Sequence, residues 1–108
     1  MNSKSTPMEQ ALVFLSRKDY TCRELTAALA KKGYADAEIL MVVEKLAGWG
    51  YLNDRAYAAA GIERFKQNGK SREFIRYRLE AAGVPPVIID EEMNKIYSRE
   101  EEEKILNA

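Results

Sequence analysis

Two segments fifty residues apart repeat one another, and that repeat limits the fold more than any other feature of the chain. Residues 21–33 read TCRELTAALAKKG and residues 70–83 read KSREFIRYRLEAAG. Thr21 matches Ser71, Leu25 matches Ile75, Leu29 matches Leu79 and Gly33 matches Gly83. The second segment reads as a short amphipathic helix, because Ile75, Leu79 and Ala82 fall on one face at spacings of four and three. Arg72 and Arg76, four apart, share another face, with Lys70 just before them. Gly83 then stands where a left-handed cap needs a residue without a Cβ.

The same period links the flanking segments. Met8, Ala11, Leu12 and Leu15 predict an apolar helix face over 8–17, with Pro7 at its start, and Ala58, Gly61, Ile62 and Phe65 repeat it. Thr21 and Glu24 have capping-box spacing at the head of the second helix, and Tyr34 is expected to pack back behind Gly33. Asp36 is the expected cap of a third helix carrying Ile39, Val42, Val43 and Leu46, which breaks around Gly48 and Gly50. Asn53 or Asp54 caps the fourth, which ends at the Asn68–Gly69 turn. Pro85 and Pro86 open the sixth, where Ile89, Met93 and Ile96 match Ile39, Val43 and Leu46. Glu92 stands at the position of Val42, so this face is expected to be less fully buried. Ser98 and Glu101 have capping-box spacing again and predict a separate last helix.

No stretch alternates with a two-residue period, so the expected class is all-α: two tandem three-helix repeats and a short terminal helix. The expected boundaries are a disordered tail over 1–7, repeats over 8–52 and 53–97, and a terminal helix over 98–108 that begins an incomplete third repeat. Helices this short are marginal alone in water, so each unit must bury its own apolar faces. Trp49, Tyr51 and Leu52 are candidates for the joint between the units, Tyr57 for packing between them, and Asp54 for a cap.

The charge is balanced overall, with 17 basic and 17 acidic residues, so a whole-molecule basic field is excluded and local fields must decide what docks. Residues 64–78 hold Arg64, Lys66, Lys70, Arg72, Arg76 and Arg78 against Glu63 and Glu73. The first copy has Arg17, Lys18, Arg23, Lys31 and Lys32. Two such surfaces on tandem units favour an extended contact with phosphates or an acidic partner. A solvated helix face, with Arg76 and Glu80 as a local pair, is the plainer alternative. The acidic run at 100–103 reads as a solubilising helix start. The aromatic residues read mainly as core, with Phe74 and Tyr77 flanking the basic face.

Signals of chemistry are sparse. There is no histidine, which removes the commonest general base and transition-metal ligand. Cys22 is the single cysteine, so it forms no internal disulfide and has no histidine to activate it. No phosphate loop, paired-cysteine zinc spacing or calcium loop occurs, so no catalytic, metal or cofactor site is expected. No apolar run approaches the roughly 20 residues of a membrane helix, and no signal-peptide pattern opens the chain; the expected location is cytoplasmic.

The opening ALVFLSRKDYTCRELTAAL, the central LNDRAYA and the later NGKSREFIRYRLEAAGV together resemble the RecX family over roughly residues 8 to 97, through their order and spacing rather than any one motif. The resemblance implies all-helical tandem three-helix repeats, commonly three of them. It implies a regulator that binds nucleoprotein filaments of the recombinase RecA, typically along their groove. Such binding inhibits ATPase, strand exchange and co-protease activity in recombination and SOS repair. It carries over no catalytic residue. On this reading Lys70, Arg72 and Arg76 are the main candidate contacts, Arg64 and Lys66 follow, and the first copy adds Arg23, Lys31 and Lys32. The partners expected are the RecA filament and single- or double-stranded DNA within it. A helix-turn-helix DNA-binding module, a passive helical scaffold and an enzyme using Cys22 are the alternatives.

Overall fold

The computed structural model describes residues 5–106, and side-chain surroundings as far as residue 99. Residues 1–4 of the disordered tail predicted over 1–7, the last two residues and the side chains of the acidic run at 100–103 lie outside this part. The described residues form six helices: α1 (Pro7–Arg17), α2 (Cys22–Lys31), α3 (Asp36–Gly48), α4 (Asp54–Gln67), α5 (Arg72–Ala82) and α6 (Pro86–Leu106). They divide between Asn53 and Asp54 into two units of three helices.

In the first unit α1 packs on both α2 and α3, which also pack on each other. Ala11, Leu25, Leu29, Ile39, Val42, Leu46 and Leu52 form its buried core, with Phe14, Leu15, Tyr20 and Tyr34 half-buried around it. In the second unit α4 packs most extensively on α6, and both touch α5. Its core is Ala58, Ile62, Ile75, Leu79, Val84, Ile89, Met93 and Ile96. The fifty-residue register holds inside: Ala11 and Gly61, Leu25 and Ile75, Leu29 and Leu79, Ile39 and Ile89, and Leu46 and Ile96 are all buried. Gly61 brings α4 close to α5: a Cβ built there would lie 3.2 Å from Leu79 Cδ2.

The caps explain where these helices begin and end. Thr21 is fully buried; its Oγ1 accepts the Glu24 N–H at 3.0 Å and the Glu24 carboxylate accepts the Thr21 N–H at 3.0 Å, a complete capping box. Ser71 caps α5 by accepting the Phe74 N–H at 3.1 Å, so Lys70 precedes the helix rather than belonging to it. Gly83 ends α5 at φ 96°, letting the Val84 N–H reach back to the Leu79 carbonyl at 3.0 Å, and Gly33 does the same for Tyr34 and Leu29 at 3.4 Å.

Several expectations are corrected. The ordered chain starts before residue 8: Thr6 and Glu9 form a capping box for α1, Pro7 opens the helix, and the Ser5 carbonyl accepts the Tyr34 hydroxyl at 2.6 Å. A polar start is therefore tied down by its hydrogen bonds as far back as Ser5. Leu12 is 44% exposed, because Ala11 and Phe14 rather than Leu12 point α1 inward. Asp36 is the first helical residue and Ala35 the cap; Ala35 has no side-chain acceptor for a first-turn amide, and the Glu38 carboxylate accepts the Ala35 N–H at 3.2 Å, the other half of a capping box. Leu52 closes the first unit's own core and Tyr57 packs on the second's, while Trp49 and Tyr51 stay mostly exposed. Finally, α6 runs unbroken through Ser98, so no separate terminal helix starts there. An N-cap needs non-helical backbone, and with no glycine or proline between Val87 and Leu106 nothing obliges the helix to stop.

Candidate polyanion-binding face

The second unit carries three groups of cations, and the helix spacing sorts them. On α5, Ile75 and Leu79 face the core; Arg72 and Arg76 fall on one flank of that stripe, Phe74 and Arg78 on the other.

The first flank looks toward α6. Arg76, predicted as a main contact and as a pair for Glu80, instead donates from Nη1 to the Asp90 carboxylate across the helix interface. Its charge is thereby largely spent inside the unit. The Arg72 guanidinium lies 4.0 Å from the Tyr97 ring centroid, and Lys66 Nζ lies 4.8 Å from the same ring.

The other flank faces the end of α4. Phe65 and Phe74 meet edge to face, with centroids 5.5 Å apart and planes at 80°. Arg64 sits 4.9 Å and Arg78 5.4 Å from the Phe65 centroid; Lys70 sits 5.1 Å and Arg78 5.8 Å from that of Phe74. Lys70 is brought here by the turn at Gly69, where a φ of 76° lets the Lys70 N–H reach the Phe65 carbonyl at 3.0 Å. Among the described residues, Arg64, Lys70, Arg72 and Arg78 make no ion pair with a carboxylate. The acids nearest in sequence are Glu63, 3.8 Å from Arg99, and the exposed Glu73 and Glu80.

A third cation is structural. Arg55, from the LNDRAYA stretch, donates from Nη1 to Glu92 Oε2 and from Nη2 to Glu91 Oε1, both at 2.8 Å, and Lys95 adds a contact to Glu92 Oε2 at 3.1 Å. Glu92 is only 7% exposed, so the expectation of a less buried face in the second copy is wrong: the guanidinium lets a carboxylate occupy the place of Val42. The hydrogen bond from Arg55 above all, then Lys95, holds the Glu92 carboxyl below the usual glutamate range, although burial pushes it up. The same pairing raises the Arg55 guanidinium. No buried side-chain polar atom among the described residues is left without a partner.

The first unit's candidates do not assemble. Arg23, Lys31 and Lys32 are exposed, but Arg23 lies in the first turn of α2 while Lys31 and Lys32 lie at its other end. Nor is the cationic flank in register: Phe14, Tyr20, Cys22 and Ala28 stand where Arg64, Lys70, Arg72 and Arg78 stand in the second unit. The matched basic surfaces expected on both copies are therefore absent, since the repeat is kept by the core and not by the charge. The contacts expected from the sequence leave out Tyr97, and also Arg78, which is counted in the basic cluster but not among the contacts. The Lys70, Phe74, Arg78 spacing of four was a signal for Arg78; nothing in the linear order signals Tyr97. Among the described residues no three metal-binding side chains converge, and no helix is long and apolar enough to cross a membrane.

Comparison with known proteins gives the fold and family. Residues 8–46 match the profile of RecX, first three-helix domain. The Regulatory protein RecX of Trichlorobacter lovleyi is 40% identical over 85 residues, covering 75% of this chain and 53% of the relative. That of Thermus thermophilus is 38% identical over 88 residues, covering 81% and 60%. The crystal structure of RecX from Lactobacillus salivarius superposes with a TM-score of 0.80 at 22% identity, over 84% of this chain and 59% of that one, which establishes the all-helical fold. The chain thus spans about half the length of the curated relatives it matches. With its first three helices matching the family's first three-helix domain and both units matching RecX sequences and folds, the chain belongs to the RecX family of regulatory proteins.

Proposed function

We propose that this chain is a non-enzymatic, cytoplasmic regulator that docks on RecA–DNA filaments and holds down recombinase activity. The family supports the partner, and the observation that carries the site is the second unit's surface. There Arg64, Lys70, Arg72 and Arg78 stand over aromatic rings with no carboxylate partner among the described residues. Cations that no carboxylate among the described residues neutralises are available to an anionic partner, whether acidic protein surface or DNA phosphate. Arg76 is a minor contributor here, because Asp90 already engages it. The first unit's Arg23, Lys31 and Lys32 contribute at most scattered contacts.

The test is RecA ATPase on single-stranded DNA, measured with the wild-type chain and with Arg72→Glu/Arg78→Glu. Both side chains are solvent-exposed, so the variant is expected to fold. Suppression by wild type and its loss in the variant is the expected result. A folded variant that suppresses ATPase as well as wild type rules out this surface.

A further inference from the structure

On α3, Ile39, Val42 and Leu46 face the core of the first unit. A second stripe runs along the opposite side: Ala37, Met41, Glu44 and Gly48, at spacings of four, three and four, with Leu40 and Ala47 beside it. All six are exposed, Leu40 at 58% and Met41 at 61%, and Glu44 is the one charge among them. The second unit covers the same face from within. There the matching positions of α6 hold Asp90, Glu91 and Tyr97, and Arg76, Arg55 and Arg72 from α5 and α4 lie over them. Fifty residues earlier the covering positions hold Thr26, Ser5 and Cys22, none of which can lay a long side chain over α3. Thr26 turns back instead and donates to the Cys22 carbonyl of its own helix at 2.8 Å. The first unit thus leaves bare what the second closes with arginines.

The charges beside the stripe fit a second copy of the same face. Glu38 and Lys45 stand seven residues apart, two helical turns, so they share one flank of it. When two identical helices pack antiparallel about a twofold axis, each flank meets the same flank of the other copy in reverse order. An axis midway between Glu38 and Lys45 sets Glu38 of each copy beside Lys45 of the other, twice over, with the two Met41 side chains at the centre. Glu44 comes to lie by the first turn of the other copy's α3, where a carboxylate is favoured. A parallel pair instead turns Glu38 and Lys45 toward Leu40 and Ala47, with no charge to answer them. Lys45 makes no ion pair among the described residues, and Glu38 uses one oxygen for the Ala35 N–H, leaving the other. Trp49, 61% exposed and one turn beyond Lys45 on the same flank, lengthens the contact.

We infer that the outer face of α3 is a self-association surface, through which two copies of this chain pair with their α3 helices antiparallel. Its area sets its strength. The 13 residues of α3 make a helix about 20 Å long, and one such face with Trp49 covers on the order of 400–500 Å² per copy, against roughly 800 Å² per partner in a standard interface. The pair is therefore weak and reversible. The surface belongs to the first unit alone, because the matching face of α6 is polar and already covered.

The experiment is sedimentation velocity on the full chain from about 5 to about 500 μM, a range that populates a weak pair. The mean mass is expected to rise from 12.3 kDa toward twice that value. Met41→Glu puts two like charges at the axis and is expected to hold the chain at the monomer mass throughout. Lys45→Glu sets a second carboxylate beside Glu38 on both sides of the axis and lowers the dimer fraction, while Glu38→Lys/Lys45→Glu exchanges the charges and restores it. All three positions are exposed, and circular dichroism confirms that each variant folds. A wild type that stays at 12.3 kDa over the whole range overturns the inference, as does a Met41→Glu chain that pairs as well as wild type. Pairing that Lys45→Glu leaves unchanged, or that the exchange fails to restore, overturns the antiparallel arrangement. A monomeric wild type whose suppression of RecA ATPase is lost in Met41→Glu assigns the face to another protein; self-association then falls while filament docking stands.

Discussion

Replacing Glu92 by glutamine keeps the shape of a buried side chain and deletes its charge. In the folded protein Glu92 Oε2 accepts from Arg55 at 2.8 Å and from Lys95 at 3.1 Å, and the residue is 7% exposed. A buried hydrogen bond to a charged group contributes roughly 1.5–3 kcal/mol. Here the donors reach water, with Arg55 45% and Lys95 64% exposed, so screening lowers the loss for Glu92→Gln to about 1–2 kcal/mol. For a unit of this size that is a large share of a total of about 3–8 kcal/mol, and it lowers the thermal midpoint by roughly 5–15 °C. The pH dependence separates charge from shape. The folded carboxyl is held below its ordinary value of 4.5, so its stabilisation is complete above that pH and is lost as pH falls through the lower folded value. In urea unfolding, the gap between wild type and Glu92→Gln is therefore constant near neutrality and closes as pH falls below about 4.5. Glu92→Val, which installs the first unit's residue, is expected to lose less than Glu92→Gln, since Arg55 can turn outward and valine needs no partner. A gap that stays open at low pH, or no loss in Glu92→Gln at neutral pH, refutes the ion-pair reasoning.

Two further outcomes follow from the packing. Thr21→Ala removes a fully buried cap and is expected to destabilise the first unit by about 1–2 kcal/mol, read by chemical unfolding. Gly61→Val drives a branched side chain into Leu79, whose Cδ2 is only 3.2 Å from where a Cβ on residue 61 would stand, and is expected to cost about 1–3 kcal/mol in the same assay.

Much of the fold was legible because helix spacing and helix caps are local. Thr21 with Glu24, Ser71, Gly33 and Gly83 declare their ends within four residues, and the aliphatic matches from Leu25 and Ile75 to Leu46 and Ile96 declare the buried faces. The errors arose where an outcome depended on a distant residue. Glu92 reads as solvent-facing until Arg55, 37 positions away, is placed beside it. Arg76 reads as free, or as a partner for Glu80, until α6 brings Asp90 across. Ser98 reads as a cap, because capping spacing is also compatible with the middle of a helix. The candidate site divided along the same line: Lys70, Phe74 and Arg78 share a face by local spacing, whereas Tyr97 joins Lys66 and Arg72 only through tertiary packing.

The duplication is then best understood as a rule about interiors. Three short helices can close a core only if each position facing the others is filled to the right volume, so the pairs Ala11 and Gly61 or Leu29 and Leu79 stay within a few carbons of each other. The exterior obeys no such constraint, and there the units part: Leu40 and Met41 lie exposed at the positions where Asp90 and Glu91 hold Arg76 and Arg55. A fifty-residue period therefore transfers structure from one unit to the other but not function. Charge on one copy has to be judged from the partners that its own helices bring to it, and by that measure the cations around Phe65 and Phe74 stand apart from Arg55 and Arg76 in having no carboxylate partner among the described residues.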